Sequence, residues 1–297
     1  MTAASSLLPN CGLSVDLPES IEEQPFACGQ NRFTPAYEDH YPATSNEVYQ
    51  VNDRGMTASK LAYEYNNFYE FTLNKTAVCE SSKDFPTYPW ELQVEGLVEN
   101  PQTLNLDEIM ETFTLEERVY RFRCVERWAM VVPWSGFPLH QLIDLVQPTS
   151  EARFVRFTSF YDPSIMISAR SLSAYPWPYT EGLRMDEARH DLCFLAVGLY
   201  GAPLPPQNGA PIRMVVPWKY GYKGAKSLVK IEFVAEQPDT FWNTLAPNEY
   251  PFESNVDPGV PHPRWSQAME RLLGESADTP TLKYNGYAAE VASLYES

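Results

Sequence analysis

The chain has 297 residues, 44% of them hydrophobic and 13% aromatic, enough for one large core or two small ones. Its 22 basic residues stand against 39 acidic ones, and the net charge of −17 argues against nucleic acid or an anionic membrane as partner. No stretch of ~18 consecutive apolar residues occurs, so no segment reads as a membrane span.

Residues 1 to about 45 are polar, contain proline and show no period, which reads as an irregular arm over the core. The opening "MTAASSLLPNCGLS" lacks a basic region and is not read as a complete signal peptide. "WELQVEGLV" then alternates Trp90, Leu92 and Val94 against polar residues, the pattern of a half-buried strand. "NLDEIMETF" follows as a helix with Asn105 as N-cap and acids in its first turn. In "VYRFRCVERW" a strand places Val119, Arg121, Arg123 and Val125 on one face and Tyr120, Phe122 and Cys124 on the other. "PLHQLIDLV" reads as a short helix with Pro138 at its first position. "RFVRFTSFY", "DLCFLAVGLY", "IRMVVPW" and "SLVKIEFV" are further strands, separated by loops rich in glycine and proline. Many strands, few helices and 26 prolines give an α+β class dominated by sheet.

Three stretches carry candidate chemistry. Cys124 is either a small buried hydrophobe or a thiolate supported by Arg121 and Arg123, and local sequence leaves both open. "YNNFYEF" (65–71) sets two amides, aromatics and a carboxylate close together, a set suited to a heterocycle or to an ordinary turn and strand. "LPPQNGAPIRMVVPWKYGYKGAKS" (204–227) brings Lys219, Lys223 and Lys226 around two glycines in an otherwise acidic chain, the makings of a phosphate cradle, though without the Walker order. The five cysteines and four histidines show no metal-binding spacing.

Together, "YNNFYEF", "YRFRCVE-W-MVVPW-GFPLH", "YTEGLRMDEA", the 204–227 stretch, "HPRWSQAMER" and "NGYAAEVASLY" resemble the molybdenum enzymes of the sulfite-oxidase fold. Among these they are most similar to the catalytic subunits of bacterial periplasmic protein-methionine-sulfoxide reductases. The resemblance runs from Tyr65 to the C-terminus and implies an arm over 1–64 and one sheet-dominated molybdopterin-binding domain over 65–297. It implies that Cys124 ligates molybdenum, with one metal and one pyranopterin per chain. Asn66, Tyr69, Glu70, Ser159, Asn208, Arg213, Gly224, Ala225 and Lys226 match family positions that hold the cofactor. Ser159 stands where the family usually has threonine. Asn67, Tyr69 and Glu126 match positions beside the metal's open face. The activity implied is oxygen-atom transfer from methionine sulfoxide in oxidised proteins, by a monomer fed from a haem-containing, quinol-linked membrane donor. A periplasmic location is implied by the resemblance alone, since the twin-arginine signal of the family's precursors is not read in this sequence. Sulfite oxidation on the same fold and, further off, a binding module without catalysis are the alternatives. A Cys28–Cys79 disulfide is an expectation of an oxidising compartment, with no family role attached to Cys11, Cys28, Cys79 or Cys193.

Overall fold

A computed structural model describes residues 39–296. Among them the strands in chain order are β1 (Thr44–Ser45), β2 (Glu91–Gly96), β3 (Gln102–Asn105), β4 (Glu116–Arg123), β5 (Trp128–Pro138), β6 (Phe154–Ser159) and β7 (Thr180–Arg184). They continue with β8 (Phe194–Leu199), β9 (Ala202–Pro203), β10 (Arg213–Val215), β11 (Leu228–Val234), β12 (Met269–Leu272) and β13 (Asp278–Pro280). Described strands form two mixed sheets. The larger runs β1-β4-β5-β12-β13, with β8 beside β5 and carrying β9 and β10; the smaller runs β3-β2-β11-β6-β7. Helices are few and short, in keeping with the α+β class expected.

Local sequence explains several elements directly. Leu92 and Val94 are buried on β2 while Glu91 and Gln93 are exposed, so the alternation reports one packed face. Helix Leu106–Thr112 begins with a complete capping box: Asn105 accepts from the Glu108 N–H at 2.9 Å, and the Glu108 carboxylate accepts from the Asn105 N–H at 2.8 Å. Helix Leu139–Val146 starts one residue later than expected, because Pro138 keeps extended backbone as the last residue of β5 and caps the helix instead.

The strand expected through Cys124 stops at Arg123. Cys124 opens a turn between β4 and β5, whose register pairs Arg123 with Ala129. Its N–H bonds Trp128 O at 2.9 Å and its carbonyl accepts from Arg127 N at 3.1 Å; Arg127 adopts φ +76° to close the turn. β5, between β4 and β8, is buried along all eleven residues and so lacks alternation.

Residues 39–64 contribute to the same body. Tyr41 donates to Val197 O at 2.9 Å, Thr57 N donates to Val131 O at 2.9 Å, and Leu61 and Ala62 of helix Ser59–Glu64 are buried in the core. Cys79 is disulfide-bonded, and the expected partner Cys28 lies outside the described residues, as does Cys11. Cys193 is a buried free thiol bonded to Glu187 O at 3.1 Å, a structural role.

Candidate molybdenum and pterin site

A cleft enclosing about 1020 Å³, open solvent included, lies where the β4–β5 turn meets the loop after helix Ser59–Glu64 and the 204–227 stretch. Of the residues singled out in the sequence, Asn66, Asn67, Tyr69, Glu70, Cys124, Glu126, Asn208, Arg213 and Lys226 all line it. Ser159, Gly224 and Ala225 do not, although Gly224 O accepts from the Arg213 guanidinium at 3.4 Å. Ser159 is buried at the end of β6 and its hydroxyl finds no partner.

Cys124 sits inside a polar network. Its sulfur accepts from Asn67 Nδ2 and from the Glu126 N–H, each at 3.4 Å, and the thiol donates to Glu126 Oε2 at 3.7 Å. The same carboxylate takes Asn67 Nδ2 at 2.9 Å, Trp128 Nε1 at 3.2 Å and Tyr69 Oη at 3.2 Å, and pairs with Lys75 Nζ at 3.2 Å. Burial, then the Glu126 charge, push the Cys124 thiol well above its ordinary range, while the Glu126 N–H, Lys75 and Arg123 pull it down. The thiol therefore stays protonated until a cation takes the proton's place, which is how a soft metal ion binds sulfur.

The arginines flanking Cys124 make their direct bonds elsewhere, although the Arg123 charge still lowers the thiol from a distance. Arg123 is completely buried, yet its guanidinium is spent on Glu270 (3.0 Å), Gln267 Oε1 (2.8 Å) and the Cys124 carbonyl rather than on the sulfur. Arg121 pairs with Asp53 and Arg127 with Asp278. None of the three lines the cavity, in keeping with the alternation that sets all three opposite Cys124, although Arg127 lies in the turn and not on a strand.

The lysine-rich loop is divided in the same way. Lys219 is buried against Glu187 at 2.6 Å and Lys223 against Glu181 at 2.6 Å, so both are internal ion pairs. Only Lys226 faces the cavity. Burial lowers it to about 8; Glu70 opposes that shift and Arg213 adds to it. Arg213 is lowered to about 10 by burial and bonds only carbonyls, among them Asn208 O at 2.9 Å; no described carboxylate pairs with it. Two enclosed cations that no described carboxylate meets at ion-pair distance, and the buried Oδ1 atoms of Asn67 and Asn208 without a hydrogen bond, suit a ligand bearing a phosphate and a heterocycle. Asn208 Nδ2 is meanwhile held by Ala62 O at 2.9 Å and Asn66 Oδ1 at 3.0 Å, which aims its free oxygen. The donor set therefore fits a molybdenum–pterin group: a sulfur for the metal at one side, amides between, and cations at the other.

Gly209 makes this spacing possible. It closes the Pro206–Asn208 turn at φ +98°, and a Cβ there would meet Lys226 Cβ and Cγ at 2.8 Å.

Sequence reasoning missed the aromatic wall and the cation behind Glu126. Trp177 and Phe241 meet at 4.6 Å, Trp242 and Tyr250 at 5.0 Å, and Tyr69 and Trp242 at 5.8 Å between ring centroids. These rings come from Tyr69, Trp177, the first two residues of helix Phe241–Leu245 and Tyr250, with no shared spacing. Lys75 lies within reach of the 65–71 stretch and had no motif to mark it.

Known proteins resemble this chain over most of its length. Residues 82–242 match the oxidoreductase molybdopterin binding domain. The chain is 53% identical over 247 residues to the protein-methionine-sulfoxide reductase catalytic subunit MsrP of Campylobacter jejuni, covering 83% of each chain. It is 52% identical over 257 residues to that of Burkholderia mallei, covering 85% of this chain and 77% of the other. A solved structure of the sulfane dehydrogenase SoxCD from Paracoccus pantotrophus matches at 16% identity and a TM-score of 0.46, over 74% of this chain and 60% of that one. The chain belongs to the family of molybdopterin-binding oxidoreductases that includes these protein-methionine-sulfoxide reductase catalytic subunits.

Proposed function

We propose that the chain reduces methionine sulfoxide side chains in oxidised proteins, as a periplasmic monomer holding one molybdenum and one pyranopterin. The observation that carries this is Cys124, which lines the same cavity as two enclosed cations, Arg213 and Lys226. When bound, the molybdenum–pterin group supplies two-electron oxygen-atom transfer, by which a sulfoxide becomes a thioether. Cys124 is the protein ligand to the metal. Asn66, Tyr69, Glu70 and Asn208 hold the pterin, with Ser159 supporting that end from β6. Arg213 and Lys226 neutralise its phosphate, and the Gly224–Ala225 segment supports them from behind the cavity wall, Gly224 O accepting from Arg213 at 3.4 Å.

Asn67, Tyr69 and Glu126 orient substrate beside the sulfur ligand. The aromatic wall of Trp177, Phe241, Trp242 and Tyr250 suits a thioether, because sulfur packs favourably against ring edges. Sulfite oxidation fits less well: Arg121, Arg123 and Arg127 are committed elsewhere, and Arg264 at the cavity is paired with Glu249 at 2.7 Å, so beyond Arg213 and Lys226, which serve the cofactor's phosphate, a small dianion finds no open cluster of charge among the described residues. Electrons come from a separate haem-bearing membrane protein linked to quinol; no described helix is long and apolar enough to cross a membrane.

The test is metal analysis of the purified protein beside Cys124→Ala, both made in a host that synthesises the cofactor. About one molybdenum per wild-type chain is expected, together with reduction of protein-bound methionine sulfoxide by a reduced dye, no turnover of sulfite with an electron acceptor, and loss of activity in the variant. Folded wild-type protein without molybdenum would overturn the proposal.

A further inference from the structure

The carbonyl of Val125 accepts two side-chain hydrogen bonds, from Trp265 Nε1 at 2.9 Å and from Gln267 Nε2 at 2.8 Å. The other end of that peptide unit is the Glu126 N–H, which donates to Cys124 Sγ at 3.4 Å. Both donors are themselves held. The Gln267 side chain is buried and accepts from Arg123 Nη2 at 2.8 Å, while the Trp265 ring stacks on His262 with centroids 3.8 Å apart.

We propose that Trp265 and Gln267 are positioning residues that tune the sulfur of Cys124 through the Val125–Glu126 peptide. Donors on a carbonyl polarise the amide and strengthen its N–H, by ~10–30% per bond in condensed-phase estimates. Two donors also lock the peptide plane, which fixes where the N–H points. An N–H bond to a ligating sulfur withdraws electron density from it and favours the electron-rich state of the bound centre, which raises its potential. The inference rests on the reading of Cys124 as the metal ligand. It gives a task to "HPRWSQAMER", a stretch that contributes only Arg264 to the cavity lining.

Trp265→Phe and Gln267→Met each remove one donor without adding charge. In loaded protein, a dye-mediated redox titration followed by electron paramagnetic resonance should place both variants at a lower midpoint potential than wild type at equal molybdenum content. In metal-free protein labelled with 15N-glutamate, the Glu126 amide proton should move upfield. Trp218→Phe is the control: it loses an indole hydrogen bond of 2.8 Å to Tyr295 Oη and should leave both readouts at the wild-type position. Loaded variants with the wild-type potential, or folded metal-free variants with an unmoved Glu126 amide, overturn the inference. If Gln267→Met does not fold, Trp265→Phe decides alone, since it keeps a ring to stack on His262. Wild-type protein without molybdenum overturns the proposed function instead, and the amide readout still tests the peptide relay.

Discussion

Lys75 Nζ lies 3.2 Å from Glu126 Oε2, so the carboxylate nearest the Cys124 sulfur is neutralised by a cation from a different loop. That loop is itself closed by Asn66 N–H donating to Lys75 O at 3.1 Å, tying the cation to the residues that line the cavity. Lys75 pulls the Cys124 thiol down while Glu126 pushes it up, so removing Lys75 leaves the repulsion opposed by the Glu126 N–H and Arg123 alone. Lys75→Met is expected to lower molybdenum content or turnover by about 10–100-fold, the usual effect of losing a residue behind a metal ligand. Metal analysis and sulfoxide reduction check it.

Glu270 is buried between two arginines, Arg123 Nε at 3.0 Å and Arg54 Nη1 at 2.6 Å. Glu270→Gln removes the shared countercharge and strands the Arg123 guanidinium, whose burial already disfavours its charged form. Breaking a buried pair from one side costs about 3–5 kcal/mol. Denaturant unfolding of the metal-free protein should show that loss, and a variant within 1 kcal/mol of wild type, roughly the value of an exposed pair, would contradict it.

Burial lowers Lys226 to about 8 from an ordinary 10.5. An unfolded chain binds that proton below 10.5 and the folded, cofactor-free chain only below about 8, so in this window the unfolded state holds more protons and stability rises with pH. Lys219, also lowered to about 8 by burial, acts in the same direction. The melting temperature of metal-free protein is expected to climb between pH 8 and 10 by more in wild type than in Lys226→Met. Equal slopes in the two would assign the effect elsewhere.

Gly209→Ala places a side chain at φ +98° and 2.8 Å from Lys226. The left-handed backbone alone costs about 1–2 kcal/mol, and the clash falls on the cation at the cavity wall. Lower stability should therefore come with weaker cofactor retention, read as molybdenum lost on dialysis. The opposite pattern, lower stability with full retention, would separate Gly209 from the site.

Much of the fold was visible in local pattern. Alternation marked β2 because Leu92 and Val94 face a core and their neighbours face water, and Asn105 with Glu108 marked a helix start through a contact only three residues long. β5 escaped because burial on both faces erases alternation. The turn at Cys124 escaped as well, since nothing in "FRCVER" announces that the chain reverses there; Arg127 adopts its positive φ to meet the pairing of β4 with β5.

The site divides along the same line. Residue types were enough to suggest a thiol, amides and an anion cradle, and long ordered motifs pointed to one family. Which charges serve the cavity was decided across space. Lys219 and Lys223 are identical in kind to Lys226, but Glu187 and Glu181 claim the first two. Arg123 sits beside Cys124 in sequence, but its guanidinium bonds Glu270, 147 residues away, and reaches the sulfur only through its charge. A charge pairs with whatever lies within a few ångströms. Backbone preference is set by near neighbours and can be read along the chain, whereas distances of that order exist only once the sheets have brought distant segments together.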